Sequence, residues 1–309
     1  MQIIELSTPI HSSLSHKVSE FERLFTYPLG QDRYFRIDHS PNYDAFYKAM
    51  GEAHTYYALY HDKIVASISY VIRTVKLHDH IDKVAYLGDL KIHPDHQATR
   101  LFFSIAKHLQ PILEREVSSA YGIVMDGTIN TPEQYTGRLG IPKFERLKEV
   151  YVLRFDTKNC DTSTDSHISK ESCFETYQNL SSKPFASISN SHMRSAIARE
   201  WFSTSKLACG MLEDTRLAKR LFLESGEELR SAHLSYFVYD DVQQGFLVIK
   251  SALKRSFQLG FPAMFLALSK QQMDDLESHL IGTSYSMAKA AIYGTQKTYG
   301  EITINTAEI

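Results

Sequence analysis

The segment 83–116, KVAYLGDLKIHPDHQATRLFFSIAKHLQPILERE, constrains the fold more than any other part of the chain. It reads as a strand, a short turn without glycine, and one long helix. Val84, Tyr86, Leu90 and Ile92 supply the β-branched and apolar run of a buried strand. Pro94 stops it, because proline has no N–H to give to a ladder. Leu101, Phe102, Ile105, Ala106, Leu109, Ile112 and Leu113 then recur at steps of one, three and four residues. That spacing gathers them on one helix face, which can pack back onto the sheet. Pro111 is expected to kink the last turns or end the regular part early.

Around this unit the periodicity predicts a helix and loop over 14–30, a strand at 34–37 and a helical turn at 44–50 closed by Gly51. A hairpin of 55–60 and 63–75 follows, turned at His61 and Asp62, and later a strand at 120–125, a short helix at 132–139 and a strand at 149–155. Helices packed round one mixed sheet, an α/β fold, fit this order. The stretch DTKNCDTSTDSH at 156–167 has the composition of a linker. Beyond it, strands are expected at 207–212, 232–239, 263–268, 290–293 and 302–305, with a short helix reaching 222 and helices at 243–259 and 270–280. This order is close to that of the first half.

The turn from His93 to Phe102 carries the chemical interest. A helix start leaves backbone N–H groups unpaired at the positive end of the macrodipole, and so receives phosphate readily. The segment resembles the acyl-CoA-binding turn of the GNAT acyltransferases, Arg/Gln-x-x-Gly-x-Gly/Ala after a V-x-P-like strand end. Gln97 takes the Arg/Gln place; Arg100 and Phe102 stand where that family has glycine or another small residue. Glycine allows a ligand to approach the backbone, so large side chains narrow the cradle. Arg100 offsets this with a guanidinium that pairs with phosphate, and Phe102 can face the core. The hairpin YALYHDKIVASIS is similar to the family's as well, with Ala66 in place of its glycine. The resemblance covers roughly residues 20–156. It implies a GNAT-type domain over 1–156, a polar linker over 157–169 and a second, diverged GNAT-like domain over 170–309.

From the resemblance follow the expected reaction and its parts. The co-substrate is acetyl-CoA or a longer acyl-CoA, with acetyl the expected group. A small-molecule or peptide amine attacks the thioester directly. That chemistry needs a neutral amine, a polarised carbonyl and a protonated leaving thiolate. The backbone of Leu90, Lys91 and Ile92 is expected to hold the carbonyl, and Asp89 to act as base, directly or through water. Gln97, Ala98, Thr99, Arg100, Leu101 and Phe102 are expected to form the pyrophosphate turn. Tyr135 is the candidate acid and Asn130 a pantetheine contact. Each has a structural alternative: Asp89 satisfied at a strand bulge, Tyr135 packed on the sheet, Asn130 a plain turn residue. Asp126, at a strand end beside Gly127, is a candidate amine contact or a cap. Two further functions stay open. A fold that has lost catalysis would serve as a binding or regulatory module, and an acyl carrier protein donor would need a less complete cradle.

Other classes are disfavoured by charge and composition. Lys and Arg number 34 against 36 Asp and Glu, scattered along the chain, which argues against nucleic acid. Three cysteines, Cys160, Cys173 and Cys209, do not make a secreted disulfide scaffold. Residues 1–13 lack a basic start and a long apolar core, and no apolar run approaches the roughly 18 residues of a membrane span. A cytoplasmic location is the expectation. The histidines in HPDH at 93–96 and HDH at 78–80 have no third ligand at a recognisable spacing, so no metal is expected. In the second half, VYDDVQQGF at 238–246 sits where the first half has its phosphate turn. Its paired acids oppose an anion and suit a helix cap, so this half is expected to be structural or to recognise the acceptor.

Overall fold

The computed structural model describes residues 1–6, 12–29, 33–39, 43–77, 80–97, 100–158, 173–180, 186–187, 191–296 and 304–309. The first half runs β1 (Gln2–Glu5), α1 (Ser12–Glu22), β2 (Tyr27–Pro28), β3 (Tyr34–Asp38), α2 (Tyr43–Lys48), β4 (Glu52–Tyr60) and β5 (Lys63–Leu77). It continues with β6 (His80–Ile92), α3 (Leu101–Glu116), β7 (Ser119–Met125), α4 (Pro132–Tyr135) and β8 (Glu145–Asp156). The second half holds α5 (Phe174–Leu180), β9 (Ala186–Ser187), β10 (Glu200–Thr204), β11 (Ala208–Glu213), β12 (Arg220–Leu223) and β13 (Ala232–Tyr239). Then come α6 (Val242–Gln258), β14 (Ala263–Ser269), α7 (Lys270–Leu276) and β15 (Tyr285–Gly294).

One twelve-stranded sheet spans both halves in the order β1-β4-β5-β6-β7-β15-β8-β14-β13-β11-β10, with β9 added on β5. β12, β3 and β2 make a second, three-stranded sheet. Only β6–β7 and β13–β14 pair in parallel among the described strands. A parallel pair needs a long crossover, and α3 and α6 provide the two. The α3 face expected from the sequence is the buried one. Leu101, Ile105 and Leu109 go into the core with Ile68, Tyr70 and Ile72 of β5. At 2% exposure, Ile105 is a site where truncation to alanine costs about 2–5 kcal/mol. In α6 the Asp241 carboxylate accepts from the Gln244 N–H at 2.8 Å, an ordinary N-cap.

Leaving aside β12, which joins the smaller sheet, the same succession of elements occurs twice. β4, β5, β6, α3 and β7 correspond to β10, β11, β13, α6 and β14. Each third strand bulges at one residue with positive φ, Asp89 at 56° and Tyr236 at 54°. Opposite those residues the ladders slip, between Ser67 and Ser69 and between Cys209 and Met211. The last strands are exchanged: β15 pairs with β7 of the first half, and β8 pairs with β14 of the second.

Several local expectations need correction. Pro111 lies inside α3, which continues to Glu116. The short helix after β7 ends at Tyr135, because Thr136 is already extended. Ile304 and Asn305 are not strand; they lead into a 3-10 turn over Thr306–Glu308. Residues 302–303 lie outside the described residues. The His61–Asp62 turn forms as expected, with both φ values positive, at 48° and 64°.

Candidate active site

The parallel ladder between β6 and β7 runs from Val84–Ser119 to Leu87–Gly122 and then stops. A Cβ on Gly122 would stand 2.8 Å from the Leu87 carbonyl oxygen, so glycine permits the close approach from which the two strands diverge. A cavity of about 540 Å³ occupies the gap. One group of its walls is apolar and comes from α3, β7 and the loop before β8: Ala106, Leu109, Leu113, Ala120, Ile141 and Phe144. A second group comes from β3, α2 and the start of β12: Phe35, His39, Phe46, Tyr47 and Lys219. Gly88, Asp89 and Leu90 border both.

Asp89 lies on the cavity wall with its side chain 3% exposed. Its carboxylate is engaged on both oxygens, by the Lys91 ammonium and by the Tyr43 hydroxyl. Lys91 also pairs with Glu22 at 3.3 Å. Burial alone would lower the Lys91 pKa, but Asp89, Tyr27 and Glu22 hold it well above its ordinary value. Leu90 lines the cavity and Ile92 packs against the core under α3. Gln97 is exposed, and Ala98 and Thr99 lie outside the described residues. Arg100 is the exposed N-cap of α3 and makes no side-chain cap bond, while Leu101 is core. Phe102 lines the cavity and meets the Tyr135 ring edge-on at 4.8 Å. Burial, with Tyr293 adding, pushes the Tyr135 hydroxyl up to about 12. Asn130 is exposed and also borders the cavity.

The buried pair Glu22–His39 was not anticipated. Glu22 Oε1 lies 2.7 Å from His39 Nδ1, with side chains 4% and 2% exposed. Burial raises the Glu22 carboxyl, but His39 and Lys91 outweigh it and leave the carboxyl below its usual range. Aromatic rings of Tyr43, Phe46 and Tyr47 surround the imidazole. Among the described residues no hydrogen bond engages His39 Nε2, and the residue lines the cavity. A carboxylate fixing Nδ1 leaves the other nitrogen to work as a base. Nothing in the sequence announces the pair, because seventeen residues separate a helix end from a strand end.

Lys219 lines the same cavity, donates to the Ile309 carbonyl and stands 4.8 Å from the Phe46 ring centroid. Burial and the Arg194 charge lower it to about 7. Arg194, wholly buried, forks onto Glu213 at 2.8 and 2.9 Å and approaches Glu308 at 3.5 Å. Glu308 in turn pairs with Arg73 of β5 at 3.1 Å, which ties the two halves together.

In the second half the corresponding gap is filled. The Tyr236 N–H donates to Asn305 Oδ1 at 2.7 Å, and Asn305, Thr306, Ala307 and Glu308 are buried. Asp126 is exposed and lies 3.5 Å from Arg146. The His93 ring accepts from the Asp95 N–H, as a turn residue does. Among the described residues no group of three or more His, Cys, Asp or Glu is placed to hold a metal ion. Cys173 and Cys209 are buried and not joined in a disulfide; Cys160, His78 and Asp79 lie outside the described residues.

No protein-family model matches the chain, and no curated protein matches it in sequence. Solved structures do match it. A Saccharomyces cerevisiae N-myristoyltransferase with bound myristoyl-CoA superimposes with a TM-score of 0.64 at 10% identity, over 95% of this chain and 82% of that one. An Enterococcus faecalis protein described as a probable N-acyltransferase gives 0.54 at 9% identity, over 95% and 72%. The fold is the GNAT acyltransferase fold. No helix among the described residues is long and apolar enough to cross a membrane.

Proposed function

We propose that the protein is an N-acyltransferase that moves a medium- or long-chain acyl group from acyl-CoA to an amine by direct attack, and that its chain is two diverged GNAT-like repeats. The observation that carries this reading is the cavity in the β6–β7 gap, apolar along α3 and bordered by an oriented imidazole. An acetyl group needs little of that apolar wall, which is why a longer chain is the better reading. The pyrophosphate would sit at the start of α3, where the Arg100 side chain makes no cap bond and stands exposed. The neighbours with bound myristoyl-CoA support an acyl-CoA donor.

In this reading the Asp89 N–H, at the bulge, holds the thioester carbonyl; its counterpart at Tyr236 already donates to an amide oxygen. His39 Nε2 takes the proton of the attacking amine, Glu22 steadies the imidazolium, and Asp89 serves as the partner of Lys91 and Tyr43. The amine nitrogen bonds to the carbonyl carbon, the C–S bond breaks, and Tyr135, kept protonated by burial, gives its proton to the thiolate.

Calorimetric titration with acetyl-, octanoyl- and myristoyl-CoA, followed by thiol-release assays on an amine and peptide panel, tests this. Failure of every acyl-CoA to bind at high micromolar concentration would sink it. Comparing the same acyl group on CoA and on an acyl carrier protein decides the donor.

A further inference from the structure

A second, much smaller cavity of about 50 Å³ shares Phe35, Met125, Lys219 and Ile309 with the large one. Its remaining walls include Arg33, Arg154 and Phe265, and no Asp or Glu side chain lines it. Arg154, on β8, lies half-buried with its guanidinium 5.9 Å from the Phe265 ring centroid. Its Nε is buried without a hydrogen-bond partner, and no ion pair is made by the side chain among the described residues. A buried, unmatched donor on a charged group is costly, and such a donor aimed into a cavity indicates a missing acceptor. Arg33 adds a second positive charge close enough to depress the Arg154 pKa; Asp156 and Glu227 act the other way without reaching ion-pair distance. Two arginines lining a pocket without an Asp or Glu side chain make a receptor for a planar anion.

We propose that this pocket is the acceptor subsite, and that it takes a carboxylate of a peptide whose terminal amine reaches past Lys219 and Phe35 to the thioester. The orientation of the amine rests on the acyl-transfer reading; the pocket's anion preference does not. The sheet sets the length of the acceptor. β15 carries Ala290 opposite Met125 and Ser286 opposite Arg154, on two strands that flank it. Four residues of strand and two strand spacings put those Cα atoms about 17 Å apart. The arginine side chain spans part of that distance, and roughly three extended residues, about 10 Å, cover the rest. A single amino acid is too short. Measured only to Met125, at the edge of the large cavity, the acid therefore belongs at the fourth residue of the acceptor or beyond.

The test uses glycyl-alanyl-alanyl-glutamate amide and its glutamine counterpart, titrated into the full chain with and without saturating myristoyl-CoA. The acidic peptide should bind about 10-fold or more tightly than the neutral one. Arg154→Met should erase that preference while leaving myristoyl-CoA binding unchanged and the melting temperature no lower, and Arg154→Lys should keep part of it. Equal affinities in the parent protein, or an undiminished preference in Arg154→Met, overturn the proposal. Myristoyl-CoA binding, read on the same samples, judges the acyl-transfer reading separately, since peptide preference is scored in the protein alone as well.

Discussion

If the apolar wall along α3 holds the acyl chain, donor affinity must climb with chain length until the wall is used up. Lining residues run from Phe102 to Leu113 on α3, eleven residues or about 16 Å of helix. Each buried methylene contributes about 0.8 kcal/mol, which is roughly fourfold in the dissociation constant. Six methylenes, from hexanoyl- to dodecanoyl-CoA, then give an upper limit of about 5 kcal/mol, on the order of 10³ in affinity. Ala106 faces this cavity from the middle of the helix, and Ala106→Phe places a ring where the chain would lie. Overpacking of that kind costs about 1–3 kcal/mol, so dodecanoyl-CoA should lose 10- to 100-fold while acetyl-CoA changes little. Isothermal titration across the C2 to C14 series, on both proteins, measures it. A flat dependence on chain length in the parent protein would refute the reasoning outright.

Changing His39 to Gln should lower kcat by about 10² to 10⁴ with acyl-CoA affinity intact, and Glu22→Gln should lower it less; stopped-flow thiol release reads both. For Lys219, burial holds the folded pKa at about 7, against an ordinary value near 10.4. Between those pH values the unfolded chain binds a proton that the folded chain lacks, so stability rises with pH across the window. Lys219→Met should therefore be the more stable protein at pH 6, by up to about 4 kcal/mol, with the gain gone by pH 11. Urea unfolding at the two pH values checks the sign. Arg194→Met strands the buried Glu213 and leaves Glu308 with Arg73 alone, and should cost about 3–5 kcal/mol; a loss under about 1 kcal/mol would mean the network is relaxed or hydrated.

Much of the frame was legible because it is written in local periodicity. β13 was placed to the residue, and α6, by apolar steps of three and four, to within one residue at each end. The Asp241 cap followed from the known habit of acids at helix starts. What could not be read is non-local. Pairing of β15 with β7 leaves no mark on either strand, since any half-buried strand looks alike to its neighbours. His39 and Glu22 meet through tertiary packing of α1 on β3, which has no spacing signature. The Asp89–Lys91 ion pair was not read from the sequence, which gave Lys91 only a backbone contact, and the bulge at Asp89 breaks the plain strand alternation. Its meaning, a carboxylate already occupied, needed the buried Tyr43 as well.

The exchange of β8 and β15 reaches beyond architecture into how the molecule is made. While the chain is still leaving the ribosome, β7 has an open edge until residues 290–294 emerge to cover it. An uncovered edge invites pairing with another nascent copy, and the long sequence separation slows the correct closure. Closure of the β7 edge thus waits on a strand made about 165 residues later, and a holding chaperone would act in that interval.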